Sequence, residues 1–219
     1  MESMELIRAF AAVPTGNVAD ALMNLGIPVG AVNAPLRPIA SPQRRAAGYA
    51  VTVRQMVRAQ AAEGAALARH GQVNDEVLQP GDLLVIDAGG RTDVCTGGAL
   101  MALCAQRRGA VGWVVNGAVR DVEEIRALDF PVHLAGTSPV KSTPLLQTVG
   151  VNVPVEIGGV QILPGDVVVT DETGIVVVPR QHAEAVLREA QRIGRIEEET
   201  ERLIREGWSF AEAKKKAGM

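Results

Sequence analysis

Between Pro80 and Glu124 the chain reads PGDLLVIDAGGRTDVCTGGALMALCAQRRGAVGWVVNGAVRDVEE, and this stretch limits the possible folds more than any other. Leu83 to Asp87 is a short apolar run behind a Pro-Gly-Asp turn, the pattern of a buried strand. A glycine-rich loop is expected next, up to Gly97-Gly98. Apolar residues at Leu100, Leu103 and Cys104 then follow helical spacing, and Gly109 supplies a stop. Val111 to Val115 returns as a β-branched strand, so the whole predicts a βαβ unit. Parallel strands joined this way bring their carboxyl ends to one edge of the sheet, where open α/β sheets hold ligands. That edge would carry the helix-start amides of Gly98, Ala99, Leu100 and Met101, with Arg120 and Asp121 at the end of the second strand. Helix starts attract carboxylates and phosphates. Arginine grips planar oxyanions, and aspartate holds hard divalent cations. The pattern points to a small, acidic, metal-bound ligand.

A chain of 219 residues can bury a sizeable core, and residues 1–219 are read as a single α/β domain. Net charge is −3 with dispersed basic residues, which gives no footprint for nucleic acid. No apolar run approaches the roughly 20 residues that cross a bilayer, so no membrane partner is expected. MESMELIRAF lacks the basic start and long apolar middle of a signal peptide. With Cys95 and Cys104 the only cysteines, a disulfide framework is not expected and a reducing cytoplasm is the default.

Taken in order, Ser3 is a candidate cap for a helix to Ala12. Thr15 or Asn17 would cap another to Leu25, with Gly26 ending it. Ala34 to Pro42 contains three prolines and reads as a loop or irregular edge. Gly48 to Val53 is a strand, and Ala59 to His70 a short helix. Asp121 is well placed to cap a helix from Val122 to Leu128. Pro131 to Leu134 is the next strand. Val153 to Pro179 reads as three strands with tight turns. Gln181 to Glu206 is a long charged helix with Ile193, Ile196, Leu203 and Ile204 among its apolar positions. Ser209 and Glu212 form a capping box for a last helix. Residues from about 181 to 219 would form a helical extension packed on a neighbouring subunit.

His70, His133 and His182 are scattered, without metal-ligand spacing, and no GxxxxGK[ST], GxSxG or GxGxxG occurs. One carboxylate beside backbone amides suits magnesium or manganese, which keep waters and accept substrate oxygens.

GDLLVIDAGG, GGALMA and the G-x-V-R-D of Gly117 to Asp121, with Glu124 completing R-D-x-x-E, resemble one family. It is that of the regulator of ribonuclease activity A, which includes the 4-hydroxy-4-methyl-2-oxoglutarate aldolases. The likeness extends from NVADAL through GYAVTV to PGDVVVTDETGIVVVP. The resemblance implies a swivelling-domain-like, layered α/β/α fold in a homotrimer or hexamer with sites at subunit interfaces. It also implies a divalent cation, Mg2+ or Mn2+, held by Asp121. Arg120 would then bind the keto and carboxylate oxygens of a 2-oxo acid, and the Leu100 and Met101 amides its carboxylate. A glutamate of a neighbouring C-terminal helix (Glu197, Glu198 or Glu199) would contribute through water.

One position departs from the pattern. Aldolase members carry an acid where this chain has Ala99. The implied reaction is metal-dependent pyruvate release, by retro-aldol cleavage or by decarboxylation of oxaloacetate. Both pass through the pyruvate enolate, but only the first needs a base for a substrate hydroxyl. Ala99 therefore favours decarboxylation. The alternative is a non-catalytic regulator that binds a partner protein.

Overall fold

The computed structural model describes residues 3–40, 44–58, 70–143 and 145–218. In chain order the elements are α1 (Ser3–Ala11), α2 (Thr15–Asn24), β1 (Gly30–Ala31), β2 (Arg37–Ala40), β3 (Ala46–Val57) and α3 (His70–Glu76). Next come β4 (Asp82–Gly97), α4 (Ala99–Arg107), β5 (Gly112–Val119), α5 (Val122–Ala127) and β6 (Val132–Thr137). The last part holds β7 (Leu146–Val151), β8 (Val155–Ile157), β9 (Val160–Ile162), β10 (Val167–Thr170), β11 (Ile175–Val178), α6 (Ala183–Arg205) and α7 (Phe210–Ala217). Of the helix expected over 59–70, all but His70 lies outside the described residues.

The principal sheet is mixed, in the order β1-β11-β10-β3-β4-β5-β6-β2, with β7 added to β3. Strands β3, β4, β5 and β6 are parallel neighbours, so the expected βαβ unit of β4, α4 and β5 sits at the centre. Alternation along these strands sorts the core. Leu84, Ile86, Trp113 and Val115 face one way, against Ala102 and Ala105 of α4 and Ile125 of α5. Leu83, Val85 and Val114 face the other way, with Val155, Ile157 and Ile162 of the β8–β9 hairpin. Farther along the helix-bearing face, α1, α2 and α6 cover Val167, Val169, Val176 and Val178. Trp113 and Phe130 meet edge to face at 5.8 Å. Truncating either to alanine removes about 3–5 kcal/mol of such packing.

The sheet curls. His133 of β6 hydrogen-bonds the Asp171 carbonyl beyond β10, although three strands separate β6 from β10 in the sheet order. The fold is thus α/β, with helices on the outer face of a curled sheet and a β-hairpin closing the inner one.

Several local expectations change. Neither Thr15 nor Asn17 caps α2: Pro14 occupies the cap position. The Thr15 hydroxyl donates to Asp171 Oδ1 at 2.7 Å and Asn17 Nδ2 to Glu197 at 2.6 Å, tying the helix to the β10–β11 turn and to α6. The proline-rich segment contains β2, an edge strand whose register against β6 slips at Pro38, where no ladder N–H exists. Residues 155–178 form four strands rather than three, because Gly158-Gly159 makes a hairpin of its own. The capping box of Ser209 and Glu212 is present in both directions.

Candidate active site

The stretch expected as a glycine-rich loop is instead part of β4. Asp87 opposes Asn116 and Gly97 opposes Val119, so β4 advances ten residues while β5 advances three. Gly89 (φ 67°) and Gly90 (φ 74°) take the left-handed turns that start this excursion. The surplus chain bulges beyond the sheet edge and returns at Thr96, whose hydroxyl donates to the Ala118 carbonyl at 3.1 Å. It delivers Gly98 to the ends of β4 and β5 together.

There α4 begins beside Arg120 and Asp121. The Arg120 amide donates to Gly97 O at 3.0 Å, which fixes the backbone of the pair. Arg120 Nε lies 3.4 Å from Asp121 Oδ2, with both side chains partly exposed. Asp121 does occupy the cap position of α5, but in a left-handed conformation (φ 58°) and without a side-chain cap bond. Its carboxylate reaches across to α4 instead, where Oδ2 accepts the Ala99 amide at 3.2 Å. Non-glycine residues pay for this conformation, and such strain gathers at functional positions. Gly98 has to be small for the same reason: a Cβ there would overlap Asp121 Oδ2 and press on Arg120 Cγ at 3.0 Å.

The helix-start amides are therefore not all free. Ala99 N–H goes to Asp121 and Met101 N–H to Gly98 O at 3.0 Å. Among the described residues, Leu100 N–H has no protein acceptor, and its side chain is 81% exposed. A cleft of about 140 Å³ opens here, and Gly98, Leu100, Met101, Arg120 and Asp121 all line it. Ala99 does not line it; its methyl group packs against the apolar cluster under α4.

Among the lining residues that sequence reasoning missed are Lys141 and Ser142. They arrive on the segment after β6, which is bonded to β4 by Cys95 N–H to Val140 O at 2.8 Å. Cys95 also lines the cleft, and burial pushes its thiol up despite the opposing charge of Arg120. It stays a neutral wall.

Asp121 is the one carboxylate lining the cleft, and among the described residues no cluster of three or more metal-ligating side chains occurs. That donor set does not suit zinc. It does suit magnesium or manganese, whose remaining positions are filled by waters and ligand oxygens. Of the C-terminal glutamates, Glu197 accepts from Asn17 and Glu199 pairs with Arg202 at 2.7 Å. Glu198 is exposed. None of the three lines the cleft of its own chain.

The family model described as RraA-like, Aldolase/RraA, matches residues 15–177, which include every lining residue of the cleft. The chain belongs to the RraA-like family. A relative from Halalkalibacterium halodurans, named provisionally a 4-hydroxy-4-methyl-2-oxoglutarate aldolase, is 32% identical over 92% of this chain and 89% of its own. Streptomyces coelicolor RraAS2, described as an unusual member of the RNase ES inhibitor RraA protein family, superposes with a TM-score of 0.76. Its identity is 33%, covering 89% of this chain and 94% of that one. A crystal structure from Pseudomonas syringae pv. tomato reaches a TM-score of 0.82 at 27% identity, covering 96% of each chain. In the described residues of this RraA-like chain, no helix is long and apolar enough to cross a membrane.

Proposed function

We propose that the protein is a divalent-metal-dependent lyase that releases pyruvate from a 2-oxo acid, acting at the Arg120–Asp121 cleft. The observation that carries this reading is the meeting of Arg120, Asp121 and the open Leu100 amide at one end of α4. The Leu100 N–H, at a helix start, receives the carboxylate of the pyruvyl part. Arg120 donates from its planar guanidinium toward the keto oxygen, where negative charge grows as the carbon–carbon bond breaks. Asp121 would hold Mg2+ or Mn2+, which supplies Lewis-acid stabilisation of that charge. Asp121 also orients the pair by taking the Ala99 amide and lying against Arg120.

At position 99 there is no acid to manage a proton. Oxaloacetate decarboxylation, which needs no base for a hydroxyl, is accordingly the better-supported reaction. Retro-aldol cleavage of 4-hydroxy-4-methyl-2-oxoglutarate-type acids is the slower one. The name of the H. halodurans relative supports aldolase chemistry of this class. The test is pyruvate release over a panel of 2-oxo acids, with magnesium and after verified removal of metal by chelation. Release that vanishes without metal is expected, and undiminished release without it removes the metal from the reading.

The chain is further proposed to work as a homotrimer or hexamer. Ile193 and Leu203 of α6 are buried within the chain, but Ile204, Trp208 and Phe210 remain 42%, 42% and 65% exposed. An apolar group of this kind on charged terminal helices marks a contact surface. A monomeric mass in light scattering at micromolar concentration contradicts this part. The second reading, a regulator that binds a partner protein, rests on the description of the S. coelicolor relative. A stable complex with a ribonuclease, together with no pyruvate release, favours it.

A further inference from the structure

We infer that the protein has a second ligand site, for a small aromatic carboxylate, at the end of the sheet opposite the Arg120–Asp121 cleft. The inference is independent of the lyase reading. Arg120 and Asp121 follow the carboxyl end of β5. The second cleft opens at the amino ends of the same parallel strands, beside Ala46 and Ala47 of β3 and beside Val111 and Pro131, which precede β5 and β6. The eight residues of β5 put roughly 25 Å between the two ends. This cleft measures about 260 Å³, against about 140 Å³ for the first.

Its floor and its rim differ in kind. Ile7, Ala46, Ala47, Ala110 and Phe130 form an apolar floor, each no more than 6% exposed. Three exposed guanidiniums, those of Arg8, Arg44 and Arg45, stand at the rim against a single carboxylate, Asp129. Asp129 is committed to one of them: Arg44 Nη1 donates to its Oδ2 at 2.8 Å and to its carbonyl at 2.9 Å. Arg45 Nη1 donates to Ala12 O at 3.2 Å, just beyond α1, which anchors the guanidinium without neutralising it. The Arg8 side chain has no ion-pair or hydrogen-bond partner among the described residues. Two positive charges are thus left over at the mouth of an apolar cavity. An aromatic ring carrying one carboxylate matches both halves. The ring covers the floor, and the carboxylate lies between Arg8 and Arg45, whose planar guanidiniums bind oxyanions and stack on ring faces. A flexible aliphatic acid would lose more freedom on binding and offers no face for stacking. An inorganic anion would leave the floor in water.

The test titrates naphthalene-2-carboxylate into the full chain and follows amide NMR shifts, with naphthalene-2-carboxamide as the uncharged counterpart. Shifts are expected at Ala46, Ala47 and Val111 and not at Gly98 or Leu100. The carboxylate should bind about tenfold more tightly than the amide, the scale of two partly exposed charge contacts. Arg8→Gln combined with Arg45→Gln should abolish that advantage and leave the affinity for the amide unchanged. Both positions are exposed, so the fold should survive, and unchanged shifts in the rest of the spectrum check that it does. Arg188→Gln combined with Arg195→Gln removes the same charge from exposed positions of α6 and should leave both affinities as they are. Absence of carboxylate binding, or shifts confined to the Arg120–Asp121 cleft, overturns the inference. So does equal affinity for the two probes, an advantage that survives loss of Arg8 and Arg45, or the same loss in both double variants.

Discussion

The Asp121 carboxylate accepts the Ala99 N–H at 3.2 Å, so α4 is capped by a residue that follows the next strand. This contact places residue 99 beside the proposed metal-holding group while its methyl side chain turns to the apolar cluster. Ala99→Asp would add an acid at this half-exposed helix start, where the dipole favours it. Retro-aldol cleavage of 4-hydroxy-2-oxo diacids is expected to rise by about tenfold or more, the scale of general acid–base assistance. Oxaloacetate decarboxylation should change much less. Steady-state kinetics of both proteins on both substrates decide it; equal changes, or none, mean that position 99 does not set the branch.

A second prediction concerns stability. His133 is 3% exposed, its Nε2–H donates to the Asp171 carbonyl at 2.9 Å, and Nδ1 has no partner. Burial pushes its pKa below the ordinary 6.5, so the folded chain keeps it neutral. Its contribution is therefore complete above about 6.5 and is lost as pH falls through that value, where the unfolded chain binds the proton more readily. Asp171 acts in the same sense at lower pH. Burial opposes its charge, but hydrogen bonds from Thr15, Thr173 and Gly174 outweigh it and hold the carboxyl below the usual range. Thermal unfolding midpoints should fall from pH 7 to pH 5, and His133→Gln, which can still donate to the Asp171 carbonyl, should flatten that fall. Parallel curves for the two proteins would remove His133 as the cause.

The centre of the fold was legible because local and tertiary demands agree there. The apolar run at Leu83 to Asp87, the helical spacing after Gly98 and the return at Val111 to Val115 each need a buried, parallel arrangement. The neighbourhood of Arg120 and Asp121 followed from it. Residues 88–97 were not legible as strand, because their pairing depends on the turns at Gly89 and Gly90 and on a register that only β5 supplies. The role of Asp121 at α4 rather than α5 depends on its left-handed backbone, which aspartate tolerates but does not announce. Lys141 was hidden for another reason. It lies beyond β6 in the chain, and only the Cys95–Val140 backbone bond brings it to the cleft.

The most direct measurement of the proposed function is pyruvate release from oxaloacetate by the wild type and by Arg120→Lys, at saturating magnesium and above the rate of magnesium alone. A lysine keeps the charge but loses the planar, two-pronged contact with the keto and carboxylate oxygens. The wild type is expected to release pyruvate, and Arg120→Lys, with an unchanged circular dichroism spectrum, to lose about a hundredfold in turnover. A folded Arg120→Lys protein that turns over at the wild-type rate would contradict the proposal and leave Arg120 a structural residue.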